Sequence, residues 1–147
     1  MTLPAITIRQ PWADLIVRGT KTIENRSRRL RYRGLLLIHA SASLHRNELA
    51  AARHHIQNFI TDPLEQERLL KLIAPEDILP TGGIIGIAQL TGCVSHSSNP
   101  WFVGPYGLTI AKAQSLPFHP CKGQLGLWRC DYPADLLPSD LQQLAPS

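Results

Sequence analysis

The chain has 147 residues, 44% of them hydrophobic and 18% charged, enough to bury a core without cross-links, so a single domain over residues 1–147 is expected. No apolar run approaches the roughly 20 residues that cross a bilayer, and Met1-Thr2-Leu3-Pro4 lacks the basic stretch and apolar core of a signal peptide, which predicts a soluble, cytoplasmic protein with no membrane partner. The net charge of +4 is uneven: residues 1–46 carry nine Lys/Arg against Asp14 and Glu24, while residues 47–147 carry six against nine acids, a bias that points one face at an anionic partner, nucleic acid first.

Three cysteines, Cys93, Cys121 and Cys130, are an odd number without paired spacing, so no disulfide framework is expected. Cys93 with His96, and His119 with Cys121, do not complete a four-ligand set, and no metal is expected.

In chain order, Ala5 to Arg9 alternates apolar and polar side chains and predicts a first strand. Pro11 suits the first position of a helix, and Trp12, Leu15 and Ile16 make one apolar stripe that ends at Gly19, so a short helix is predicted from Gln10 to Gly19. Trp12 has two readings, core packing or the rim of a pocket.

Next comes Gly19-Thr20-Lys21-Thr22-Ile23-Glu24-Asn25-Arg26, the stretch around which the chain is organised. Glu24 and Arg26 lie two apart and share one face of a strand. Lys21, three before Glu24, joins them only from a turn or a bulge, and Gly19 permits such a turn. Taken singly, Lys21 and Glu24 also read as a surface ion pair of little worth.

Arg26 to Arg33 holds five arginines and Tyr32, a pattern that suits phosphate contacts and base stacking, or simply a solvated loop. Leu35 to Ser41 reads as a strand buried on both faces. His39 at its end is a hydrogen-bonded core histidine first and a site residue second. Ser43 to Ile60 is helical, with Leu44, Leu49, Ala52, Ile56, Phe59 and Ile60 inward and Ser43 or Asn47 as cap. Pro63 opens a second helix, Leu64 to Ile73. The pair reads as an insertion over the sheet with no chemical signature of its own.

After Pro75-Glu76-Asp77 and Pro80, residues Ile84 to Val94 form a strand in which Gly86 and Gly92 imply bends; Ile84 to Leu90 is an edge candidate. The Gly82-Gly83 pair lacks phosphate-loop spacing and no dinucleotide fingerprint occurs, so no cofactor is expected. Ser95 to Gly107 is a loop whose Trp101 and Phe102 either meet a ligand or plug the barrel. Leu108 to Ala113 is a strand, Pro117 to Pro120 a break, and Lys122 to Cys130 the last strand. The segment from Pro133 is a short cap. About six short strands with one helical excursion predict an α+β fold, a small mixed β-barrel.

Gln10-Pro11-Trp12-Ala13 followed by Gly19-x-Lys21-x-x-Glu24-x-Arg26 resembles the signature of the ASCH domain, a branch of the PUA-like barrels. Arg33-Gly34 with His39-Ala40-Ser41, Gly83-Ile84-Ile85-Gly86, Lys122-Gly123-x-x-Gly126-x-Trp128 and Asp131-Tyr132-Pro133 extend the resemblance over most of the chain, closest to the bacterial single-domain members. The resemblance implies a PUA-like barrel with a helical insertion and a cleft that binds RNA or a modified nucleoside or nucleotide. Lys21, Glu24 and Arg26 would line it, with Gln10 and Trp12 at the rim and His39 behind. Arg28, Arg29, Arg31, Arg33 and Lys122 would meet the RNA backbone. Some members are enzymes. One group hydrolyses the acetyl amide of an N4-acetylated cytidine with a lysine at the position of Lys21, and a bacterial relative is a ribonuclease. That amidohydrolase group has threonine where this chain has Glu24. Its downstream glutamate has no counterpart here, since Val94 to Lys112 contains no acid. An RNA-binding module is therefore the first expectation. A hydrolase with Lys21 and Glu24 as its catalytic pair is the alternative, and a protein-interaction module with a solubilising loop the third. No pattern sets an oligomeric state.

Overall fold

The computed structural model describes residues 1–74 and 79–142. Strands β1 (Thr2–Ile8), β2 (Ile23–Arg26), β3 (Gly34–Ala40), β4 (Gly83–Val94), β5 (Tyr106–Pro120) and β6 (Leu127–Asp131) form one sheet in the order β2-β5-β4-β3-β1-β6. The β1–β3 pair is parallel and the other pairs are antiparallel. Helices α1 (Trp12–Val17), α2 (Arg46–Phe59), α3 (Pro63–Ile73) and α4 (Ser139–Gln142) complete an α+β fold. The sheet curls into a half-barrel whose edge strands, β2 and β6, do not pair with each other. No described helix is long and apolar enough to cross a membrane.

The central strands β1, β3 and β4 carry runs buried on both faces. Ile6 and Ile8 join Leu36, Ile38, Leu108 and the inward side of α1 in one core, whereas Leu3 and Ala5, one residue out of phase, join Leu37, Ile87, Trp128 and Tyr132 in another. Burial is continuous only from Leu3 to Ile6, because β3 and β6 flank β1 and both faces are covered there; beyond it Thr7 is half-buried and Arg9 exposed, as the expected alternation has it. A third cluster sets Ala52, Ile56, Leu69 and Ile73 of α2 and α3 on Leu15, Ile23 and Trp101.

Four boundaries differ from expectation. β5 runs through Pro117 to Pro120, where a break was predicted. Pairing steps from Ile84↔His119 to Gly86↔Ser115, so Pro117 lies in a bulge where no ladder donor is missed. The last strand starts at Leu127, and Lys122 lies in the preceding loop. Helix α2 begins at Arg46 behind an extended His45 without a side-chain cap, so neither Ser43 nor Asn47 caps it; Phe59 is 55% exposed. Helix α1 is shorter than predicted, with Pro11 as its N-cap. Strand β4 lies in the interior of the sheet between β5 and β3, not at an edge. The predicted Pro75-Glu76-Asp77 break lies outside the described residues.

Gly86 shows why that position carries no side chain. A Cβ there would stand 2.6 Å from Cγ2 of Val17 and 2.8 Å from the carbonyl oxygen of Gln114, so α1 is seated directly on the β4 backbone.

Candidate ligand cleft

Helix α1 ends in a tight turn that delivers the central lysine. Gly19 takes φ +80°, and the carbonyl of Leu15 accepts from the amides of both Thr20 and Lys21. Lys21 therefore sits in the turn before β2, and its side chain meets the face that carries Glu24. Lys21 Nζ donates to Oε1 of Glu24 at 3.0 Å and to the Ile23 carbonyl at 2.6 Å. Arg26 Nη2 donates to Oε2 of Glu24 at 3.0 Å and to the Thr7 carbonyl at 3.0 Å. Lys21 is 3% and Glu24 8% exposed, so together with the partly buried Arg26 this is a largely buried triad and not a solvated surface pair.

The triad floors a cavity of about 380 Å³ lined also by Thr7, Arg9, Trp12, Glu48, His55 and Trp101. Its volume is in the range of small-molecule sites. Trp12 Nε1 donates to Oε2 of Glu48 at 2.6 Å, and Arg9 Nη1 donates to Oε1 of the same carboxylate at 3.1 Å. Lys21 Nζ stands 5.7 Å from the Trp12 ring centroid. His55 stacks on Trp101 with centroids 4.9 Å apart, and Trp12 meets both rings edge-on. The lining thus combines an aromatic wall with three cations and two carboxylates.

Trp101 is held from both sides. Asn25 donates to its carbonyl at 3.0 Å and accepts from the amides of Val103 and Gly104. His55 Nε2 lies 2.7 Å from the Pro100 carbonyl, which only accepts, so Nε2 carries the proton and Nδ1 is the acceptor of the neutral ring. Burial pushes the His55 imidazole below its ordinary value of 6.5, and the charges of Lys21 and His54 push the same way, against the hydrogen bond to Pro100. Trp101 both packs in the third core cluster and lines the cleft.

Among the predicted site residues, Trp12, Lys21, Glu24 and Arg26 converge on this cleft; Gln10 and His39 do not line it. Gln10 is fully buried, donating to the Pro80 carbonyl at 2.8 Å and accepting from the Asp14 amide at 2.9 Å, which leaves it a brace for α1. His39 lies under the 121–126 loop, with Nε2 donating to the Cys121 carbonyl at 2.8 Å and its ring edge-on to Trp128. Arg28, Arg31 and Lys122 are exposed. Arg29 turns over the Tyr106 ring, 5.1 Å from its centroid, and Arg33 folds back on the carbonyls of Leu30 and Tyr32. Tyr32 spends its hydroxyl on the Leu35 carbonyl.

The sequence reading missed Glu48, His55, Arg9 and Asn25. Glu48 and His55 are seven apart, two helical turns, and so share the α2 face that looks into the cleft. No cluster of His, Cys, Asp and Glu suited to a metal occurs among the described residues.

Comparisons with known proteins agree with this architecture. No curated protein matches the chain by sequence. Among solved structures it is similar to the ASCH protein of Zymomonas mobilis, with a TM-score of 0.51 and 15% identity over 95% of this chain and 90% of that one. It is likewise similar to a tyrosine-to-phenylalanine variant of that protein, with a TM-score of 0.50, 15% identity and coverage of 96% and 94%. At that identity the likeness concerns the fold. The family model for the ASCH domain matches residues 6–102, two-thirds of the chain and all the cleft-lining segments except Val103, and the chain belongs to the ASCH domain family.

Proposed function

We propose that the cleft binds an unpaired nucleobase, in RNA or in a modified nucleoside. The observation that carries this reading is the pairing of an aromatic wall with a polar floor in one cavity. Trp12, His55 and Trp101 offer ring surface for a flat guest, and Lys21, Glu24 and Arg26 offer donors and acceptors to its edge. Lys21 spends two of its three N–H bonds inside the protein, which leaves one for a ligand. Arg28, Arg31 and Lys122, exposed on flanking loops, supply charge for a phosphate backbone.

A hydrolase using Lys21 and Glu24 is less well supported. Each oxygen of Glu24 already accepts from a cation, so the carboxylate is engaged as the link between Lys21 and Arg26 and does not stand free as a base.

The test is quenching of tryptophan fluorescence by nucleosides and by short single-stranded RNAs. Binding is expected to weaken steeply with salt for RNA and little for nucleosides, and Arg28→Ala to lower the salt slope by about 1. Absence of quenching by every nucleoside and RNA tried would remove the reading.

A further inference from the structure

Beside the cleft, on the far side of Arg26, lies a second hollow of about 450 Å³, lined by Ile6, Ser27, Arg28, Leu30, Leu125 and Gly126 together with Arg26 itself. Both hollows sit in the seam left open because β2 and β6 do not pair. Arg26 reaches across that seam to Thr7 and so forms the ridge between them. Its guanidinium is not saturated: Nη2 serves Glu24 and Thr7, while Nε is buried and has no partner among the described residues. The second hollow has an apolar lining in Ile6, Leu30 and Leu125, with Ser27 and the Arg28 cation at hand. Leu125 is 98% exposed on a loop turned by Gly126 at φ +67°. An isolated exposed leucine is ordinary. One that walls a hollow next to an under-used guanidinium has a use.

We propose that the seam is a two-nucleotide trough: one base enters the aromatic cleft, the next lies against Leu125 and Leu30, and the phosphodiester between them crosses the ridge at Arg26. The occupant is single-stranded nucleic acid, not a free nucleoside. Two hollows of nucleoside-compatible size separated by one cation match the repeat of a base, a phosphate and a base. The cations at Arg26 and Arg28 favour a guest that brings a phosphate over a purely apolar one. This inference rests on the nucleobase reading of the cleft and adds the second site to it.

The experiment compares the four ribonucleoside 5′-monophosphates with the four homodinucleoside monophosphates ApA, CpC, GpG and UpU, on the full chain and on Leu125→Asp and Leu125→Ser. At least one dinucleotide is expected to bind threefold or more tighter than its own mononucleotide. Both variants should cut that gain below threefold, leave mononucleotide affinity within twofold, and melt at the native temperature because Leu125 touches no core. The inference is overturned if no dinucleotide gains threefold, or if the gain persists in both variants; mononucleotide binding in those cases keeps the cleft reading alive. Failure of every probe to bind removes both.

Discussion

Arg26 donates to the main-chain oxygen of Thr7 across 3.0 Å and thereby ties β2 to β1, although β5, β4 and β3 separate the two in the sheet. The half-barrel is closed at this point by a side chain instead of a ladder. Because the same guanidinium holds Glu24, and Glu24 holds Lys21, closure of the seam and assembly of the cleft floor are one event.

Removing one member of that chain of charges leaves another uncompensated in a buried place. Glu24→Gln is expected to destabilise the fold by about 3 kcal/mol, because it leaves the buried Lys21 ammonium without its carboxylate, and to abolish ligand binding. Adding Lys21→Met should restore most of the stability without restoring binding, since it removes the stranded buried charge and the remaining Arg26 is only partly buried. Denaturant unfolding of the two single variants and the double variant measures the coupling; strict additivity would count against a buried pair.

Gly86→Ala should cost roughly 1–3 kcal/mol, as expected for overpacking. The added methyl meets Val17 and the Gln114 carbonyl, neither of which is the free end of a flexible chain. Gly126→Ala probes a different effect, since nothing lies within 4 Å of its Cβ and only its φ of +67° resists the change. A melting temperature unchanged in Gly86→Ala would show that α1 is not pressed onto β4.

His55 gives the fold a pH dependence of definite sign. Its imidazole is held below 6.5 in the folded chain, chiefly by burial, so the folded state prefers the neutral ring more than the unfolded chain does. Stability is complete above about 6.5 and is lost as pH falls from there through the lower folded value. His55→Gln should flatten the fall in melting temperature between pH 7 and pH 5; an undiminished slope would place the effect on other histidines.

Cys130 is predicted to be the inert thiol. Burial first, and the neighbouring Cys121 second, push it up to about 12, and the two sulfurs lie 3.9 Å apart without a bond. Iodoacetamide at pH 8 should label Cys93 and Cys121 and spare Cys130 until the chain is unfolded. Mass spectrometry of the alkylated peptides reads the order directly.

Much of the site could be read from local spacing. A period of two puts Glu24 and Arg26 on one face, and the glycine before Lys21 demands the turn that brings the lysine round. Glu48 and His55 were hidden for the opposite reason. Their partners, Trp12 for Glu48 and Pro100 and Trp101 for His55, are more than 30 residues away, and nothing in an amphipathic stripe says which tertiary neighbour a polar residue will find. Gln10 shows the converse: a polar residue inside a signature reads as a ligand contact, yet both ends of its amide hydrogen-bond within the fold, to Pro80 and Asp14. Pro117 misled because a proline was read as a stop, whereas a bulge gives it a place with no amide to donate.

Helices α2 and α3 rest on the sheet through one cluster around Leu15, Ile23 and Trp101, and they bring Glu48 and His55 to the cleft. The scaffold and part of the cleft lining are thus written on separate stretches of chain. Grafting a different 46–73 hairpin onto the same strands, with the residues that face Leu15, Ile23 and Trp101 kept, would exchange Glu48 and His55 for other side chains while the half-barrel stays as it is, a modularity that lets one architecture change its hollow without relearning how to fold.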